Sequence, residues 1–169
     1  FHFATGDAQS IPFQDSTFDA VIANHMLYHL PDLPAALAEV HRVLVPSGVL
    51  YATTNGKTHL QELGDLVRGY DPTYRPHSGA AHFGLEDGRD RLSAWFTDIT
   101  LSRYDDALEI TEAEVLRGWA MSWATSIYQG DRMEGLLTHL SRELESQGTI
   151  HVTKDSGLFT AQKGNGGRQ

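Results

Sequence analysis

Cysteine is absent from the sequence, which removes disulfides, thiolate metal sites and cysteine nucleophiles together. Positive charge is scarce. The chain has 13 Lys and Arg against 22 Asp and Glu, a formal net charge of −9. Phosphate binding needs clustered cations, so the composition argues against DNA, RNA and anionic membrane surfaces as main partners. Long apolar runs are missing too, since nothing approaches the ~20 residues of a membrane span. No secretory signal pattern opens the chain. These absences fit a cytoplasmic protein. A starting methionine is also lacking, because the first residue is Phe1, and the chain is expected to be a fragment or a processed product. Its 169 residues suggest one domain with a real core.

What is present is organised around residues 18–32, FDAVIANHMLYHLPD. Ala20, Val21, Ile22 and Ala23 form a short apolar run with β-branched residues, as in a strand covered on both faces. Polar residues begin abruptly at Asn24 and His25. Open α/β sheets bind ligands beyond the carboxyl ends of their strands, so Asn24, His25, Tyr28 and His29 stand where such a fold puts a site. Asp32 then suits a helix N-cap with Pro34 in the first turn. Leu33, Leu37, Val40 and Leu44 recur at helical spacing, and Pro46-Ser47-Gly48 should stop that helix. Residues 49–53 read as a second buried strand, ending at Thr54, Asn55 and Gly56. Strand, helix and strand in this order predict a right-handed parallel unit.

The remainder is plainer. Residues 6 and 7 suggest a turn, and residues 11–17 a tethered loop around Pro12. Leu60, Leu63, Leu66 and Val67 predict a helix, with Thr58 near its cap. Residues 69–88 have no period and read as a long loop. A short helix is expected over 89–95, and two strands within 96–110, broken at Asp105-Asp106. Thr111 and Glu114 match a capping box, followed by Val115, Trp119 and Trp123 on one face. Asp131 should cap a further helix striped by Met133, Leu137, Leu140 and Leu144, ended by Gly148. Ile150 and Val152 alternate with polar residues, and Asp155-Ser156-Gly157 predicts a hairpin turn.

Several strings are more specific: GDAQSIPF at 6–13, the organising stretch at 18–32, EVHRVLVPSGVLYATTNG at 39–56, GLEDG at 84–88 and GLFTAQK at 157–163. Together they resemble the class I, Rossmann-like S-adenosylmethionine-dependent methyltransferases, and within them the small enzymes acting on small molecules. The resemblance implies that Asp7 accepts the adenine amino group and that the Ala8 N–H meets a ring nitrogen. It implies that Asn24 lies beside the amino-acid part of the cofactor, with His25 and Met26 along its edge, and that Asn55 faces the acceptor. The family's glycine-rich first strand–turn–helix is not in the sequence, nor is the acidic residue that holds the ribose. About 60 residues, at ~30 per strand–helix unit, are expected upstream. The expected architecture is therefore α/β: a Rossmann-like methyltransferase sheet, N-terminally truncated, with antiparallel closing strands. Residues 1–163 would be the C-terminal part of the domain, residues 111–148 a helical cover and 164–169 a flexible tail. The organising strand would present an unpaired apolar edge, and self-association through it is expected.

Each candidate has a plainer reading. Asp7 could be a turn residue, although its surrounding string favours cofactor contact. His25 and His29 are four apart, but two histidines without an H-E-x-x-H pattern are too few for a metal, and none is expected. His25 is the candidate general base, since an ordinary imidazole can take a proton near neutrality. Tyr28, His59 and Trp119 are candidate acceptor contacts, whereas a tryptophan stripe is more often core. The expected function is methyl transfer to a small-molecule acceptor. The alternative is a non-catalytic interaction module. A hydrolase or oxidoreductase lacks support, because there is no G-x-S-x-G string and no dinucleotide fingerprint.

Overall fold

The computed structural model describes residue 3, residues 5–75 and residues 82–164. The sequence expectations for the remaining residues, including Pro76 and Gly79 of the long loop and most of the tail at 164–169, lie outside the described residues. The chain divides into two compact units. The first takes the described parts of Phe1–Lys57, Ser78–Tyr104 and Asp155–Gln169, and the second those of Thr58–His77 and Asp105–Lys154.

The first unit is built on the predicted parallel pair. Strand β1, Phe18–Asn24, leads through a short 3-10 turn at Leu27–His29 to helix α1, Leu33–Val43. Strand β2, Leu44–Asn55, then runs parallel to β1, with Ala23 opposite Ala52 and Asn24 opposite Thr53. Asp32 caps α1 as expected, its carboxylate accepting the Ala35 N–H at 3.0 Å. Leu33, Leu37 and Val40 are buried, joining Ala23, Leu50, Ala52 and Phe159 in one core. Helix α2 spans Gln61–Tyr70, α3 Gly88–Ser93, α4 Ala113–Trp123 and α5 Asp131–Gln147. Strands β3, Thr97–Ile110, and β4, Ile150–Gln162, contribute residues to both units. The sheet order is β1-β2-β4-β3, and β4 is antiparallel to β2.

The second unit has its own core. Leu63 and Val67 of α2, Leu116 and Ala120 of α4, and Leu136, Leu137, Leu140 and Leu144 of α5 pack with Ile150 and Val152. Gly148 ends α5 at φ 74°, a left-handed conformation that glycine adopts without strain.

Several expectations are corrected. Pro46-Ser47-Gly48 does not separate helix from strand: α1 stops at Val43 and β2 begins at once with the buried Leu44. A left-handed Ser47 (φ 64°) and a register shift opposite Phe18 and Ala20 absorb the breaker as an irregularity in the strand. The break at Asp105-Asp106 is absent because Lys154 takes the Asp106 carboxylate, and β3 runs on. Asp155-Ser156-Gly157 is not a hairpin turn. Those residues pair with Asn55, Thr54 and their neighbours, and a nearly buried Asp155 carboxylate meets Arg103 at 2.9 Å. Sheet pairing has overridden local turn chemistry. The capping box does not form, since α4 begins after Glu112 without a side-chain cap. Gly130, not Asp131, precedes α5. Leu60 stands at the start of α2 with no side-chain cap, not Thr58.

Candidate functional site

Strands β1 and β2 end side by side, so their carboxyl ends carry the polar residues singled out in the sequence. Asn24 is exposed and closes β1. Beyond it, His25 holds φ 47°, a left-handed backbone uncommon for a residue with a side chain. The cost is offset locally, because its N–H donates to the Thr53 carbonyl at 3.2 Å and to the Thr53 hydroxyl at 3.0 Å. Met26 precedes the 3-10 turn and accepts the His29 N–H at 3.0 Å. Tyr28 sits between two imidazoles, with ring centroids 6.4 Å from His25 and 4.5 Å from His29. Burial pushes its phenol above the ordinary value, so it stays protonated and able to donate at neutral pH.

Asp7 and Ala8 form a tight turn, with a bridge from Asp7 to Ser10. One Asp7 carboxylate oxygen accepts the Gln9 N–H at 2.9 Å, and the side chain is exposed. The turn is tied to the start of α1, because Gln9 accepts the Asp32 N–H at 2.9 Å. The loop that follows is held by charge. Arg42 donates to the carbonyls of Phe13 and Ile11 and to Asp15, and it pairs with Glu39 at 2.7 Å. That guanidinium lowers Glu39 to about 2 despite the opposing effect of burial, and the Ile11 N–H adds to it.

Asn55 closes β2, and the Ser156 hydroxyl donates to its Oδ1 at 3.0 Å. The next residue, Gly56, has no room for a side chain, since a Cβ there would strike the Asp155 carboxylate. Its N–H donates to the Asp155 carbonyl at 2.9 Å. The first unit therefore holds Asp7, Ala8, Asn24, His25, Met26, Tyr28 and Asn55, with Asn24, His25 and Tyr28 grouped around the end of β1. His59 and Trp119 belong to the second unit.

There, Trp119 and Trp123 are half-buried with ring centroids 5.2 Å apart, while Leu116 and Ala120 form the buried side of α4 and Val115 is exposed. Tyr128 donates to Asp71 at 2.9 Å beneath the Arg132 guanidinium, which lies 5.0 Å from its ring centroid. Burial and Asp71 together raise the Tyr128 phenol to about 12.

Sequence reading missed the side chains that organise the first unit's site. Thr53 looked like strand filler and Ser156 like a turn residue. The Glu39–Arg42 pair had a visible signal in its i,i+3 spacing, but nothing local said that it clasps a loop some thirty residues earlier. Among the described residues no group of three or more His, Asp or Glu is arranged to hold a metal, and no helix is long and apolar enough to cross a membrane.

A methyltransferase-domain family model matches residues 1–52. Across 94% of this chain the fold aligns, at TM-score 0.58 and 15% identity, with 72% of a methyltransferase from an antibiotic biosynthesis pathway of Anabaena variabilis. The fold is thus that of the Rossmann-like methyltransferases, and the family model covers its first two strands up to residue 52. The chain is 41% identical over 141 residues to the malonyl-[acyl-carrier protein] O-methyltransferase of Serratia marcescens, covering 81% of this chain and 52% of that protein. It is also 42% identical over 91 residues to the mitochondrial arginine-hydroxylase NDUFAF5 of Mus musculus, covering 49% of this chain and 26% of that protein. The chain thus spans about half or less of the length of these curated relatives.

Proposed function

We propose that the protein transfers a methyl group from S-adenosylmethionine to a small-molecule acceptor, and that it does so in the cytoplasm. The observation that carries this reading is the convergence of Asn24, His25, Tyr28 and Asn55 on the carboxyl ends of the parallel strands β1 and β2. That is where an open α/β sheet takes its ligand. The donor set fits the cofactor. The exposed Asp7 carboxylate would accept the adenine amino group, the Ala8 N–H would donate to a ring nitrogen, and Asn24 with the edge of His25 and Met26 would border the amino-acid part. When bound, S-adenosylmethionine supplies an electrophilic methyl on a sulfonium.

The chain's own task is then to hold the acceptor in line and exclude water, which is worth up to ~7–11 kcal/mol of a barrier in favourable cases. Asn55 and Tyr28 orient the acceptor. A carboxylate acceptor is already ionised at neutral pH and needs no base. A hydroxyl or amine acceptor would give its proton to His25, an exposed imidazole beside Tyr28. The relative named for O-methylation of a malonyl thioester makes a carboxylate the first acceptor to try.

The test is methyl transfer by the full-length gene product to malonyl thioesters and other small carboxylic acids, followed with labelled S-adenosylmethionine. Label in an ester supports the reading. Tight binding without transfer to any acceptor would favour the interaction-module alternative. The likeness to a protein named a hydroxylase is one reason to measure transfer itself, because fold does not fix chemistry.

A further inference from the structure

The stretch from Gly6 to Thr17 lies outside every helix and strand. None of its side chains is fully buried, and only Ala8, Gln9 and Ile11 are partly so. Core packing therefore does little to fix its shape, and an exposed segment loses conformational freedom when it is held in one form. What holds it is a set of hydrogen bonds to α1.

At the start of that helix, Gln9 accepts the Asp32 N–H at 2.9 Å. Further along it, one Glu39 oxygen accepts the Ile11 N–H at 2.8 Å. Arg42 donates to the Ile11 carbonyl at 2.9 Å and to the Phe13 carbonyl at 2.8 Å. The same guanidinium bonds both Glu39 oxygens, at 2.7 and 2.8 Å, and so aims the carboxylate that receives Ile11. These are charge-assisted bonds in a fixed fork geometry, the stronger kind. The tethers at Gln9 and Ile11 stand directly beside the Asp7–Ala8 turn. Within the turn, the Asp7 carbonyl accepts the Ser10 N–H at 3.0 Å. One Asp7 carboxylate oxygen accepts the Gln9 N–H at 2.9 Å, which sets the rotation of that side chain and leaves its other oxygen to a ligand.

We infer that Glu39 and Arg42 are positioning residues for the adenine end of the cofactor: from α1 they hold the loop at Ile11 and Phe13 and so keep the Asp7–Ala8 turn formed before the ligand arrives. The identity of that ligand rests on the proposed function. With the clasp cut, the turn samples other shapes, and the affinity of an adenine ligand falls with the fraction of time the turn is formed. A purely structural pair behaves differently. Its loss lowers the folded fraction and weakens every ligand of the site alike.

The test is calorimetric titration of the full-length protein with S-adenosylhomocysteine and with S-inosylhomocysteine. In the second ligand a carbonyl replaces the adenine amino group and the adjacent ring nitrogen carries a proton. Both contacts with the turn are then reversed, and this ligand gains nothing from a formed turn. The unsubstituted protein should prefer S-adenosylhomocysteine by roughly tenfold or more, the scale of one hydrogen bond to a charged group. Arg42→Ala and Glu39→Ala should weaken S-adenosylhomocysteine by roughly tenfold, as for a turn formed about a tenth of the time, and leave S-inosylhomocysteine within about twofold. In an Asp7→Ala background, Arg42→Ala should cost no more than about threefold further, because the two act through one contact. Unfolding temperatures check that each variant folds. Glu39→Gln, which keeps the size and one acceptor oxygen, should show the same pattern at smaller size and carries the test where an Ala variant does not fold. Equal weakening of both ligands, unchanged affinity for S-adenosylhomocysteine, or losses from Asp7→Ala and Arg42→Ala that multiply in full would each overturn this inference alone. Equal affinity of the unsubstituted protein for the two ligands would overturn it together with the adenine contact of Asp7. Failure of the unsubstituted protein to bind S-adenosylhomocysteine would instead overturn the methyltransferase reading.

Discussion

The two faces of the sheet in the first unit are made from the same strands and answer to different demands. On one face Ala23, Leu50, Ala52, Phe159 and Ala161 are buried against Leu37, Val40, Phe83 and Leu92. Thr54, a fully buried polar group on this face, is satisfied by donating to the Phe83 carbonyl at 2.5 Å. On the other face the middle is apolar but exposed, with Ile22 at 68% and Tyr51 at 36%. Its carboxyl end carries Asn24, Thr53, Asn55 and Ser156. Alternation along a strand therefore separates the packed side chains from the strand-end polar groups by a single residue step. Substitutions of adjacent residues should differ sharply in what they change.

The largest effect belongs to the covered face. Phe159→Ala removes a fully buried ring and should cost about 3–5 kcal/mol in urea unfolding. A loss below about 1 kcal/mol would mean that the ring is not packed as described. Gly56→Ala comes next, because the new methyl group must displace the Asp155 carboxylate and with it the Arg103 pair. We expect about 1–3 kcal/mol, with the midpoint and not the slope of the denaturation curve moving.

A smaller effect is expected with pH. Glu39 is lowered from an ordinary 4.5 to about 2. Its contribution is present above the unfolded value and lost as pH falls through about 2. The unfolding midpoint should therefore drop between pH 4.5 and 2, and Glu39→Gln should flatten that drop by the share due to this carboxylate. An unchanged profile in the variant would show that Glu39 does not carry the clasp on residues 11–15. The smallest effect lies on the other face. Ile22→Thr should change stability by no more than about 0.5 kcal/mol, and a larger loss would show that this face is covered in the full-length protein.

Much of the first unit was legible in the sequence because its signals are local. The apolar run before Asn24, the Asp32 cap and the leucine spacing of α1 each act within a few residues. The parallel pairing of β1 and β2 follows from them through the handedness of the crossover. What was not legible depends on partners distant in sequence. Asp155-Ser156-Gly157 has strong turn chemistry, and only pairing with β2 keeps it extended. Asp105-Asp106 likewise runs through a strand because Lys154 meets it. At the site, the strand-end asparagines stood out because polarity changes there abruptly. Thr53 and Ser156 did not, since a hydroxyl in a strand carries no signal until its neighbour across the sheet is known. The split of the chain into units was equally invisible, because residues 58–75 and 105–154 meet through partners distant in sequence, in a shared core and in polar pairs such as Tyr128 with Asp71.

The central claim is the cofactor, and calorimetric titration of the full-length protein with S-adenosylhomocysteine tests it most directly, with Asp7→Ala as the paired variant. The account predicts saturable binding that Asp7→Ala weakens by roughly tenfold or more, since a charged hydrogen bond to the adenine amino group would be lost. No binding by the unsubstituted protein would contradict it.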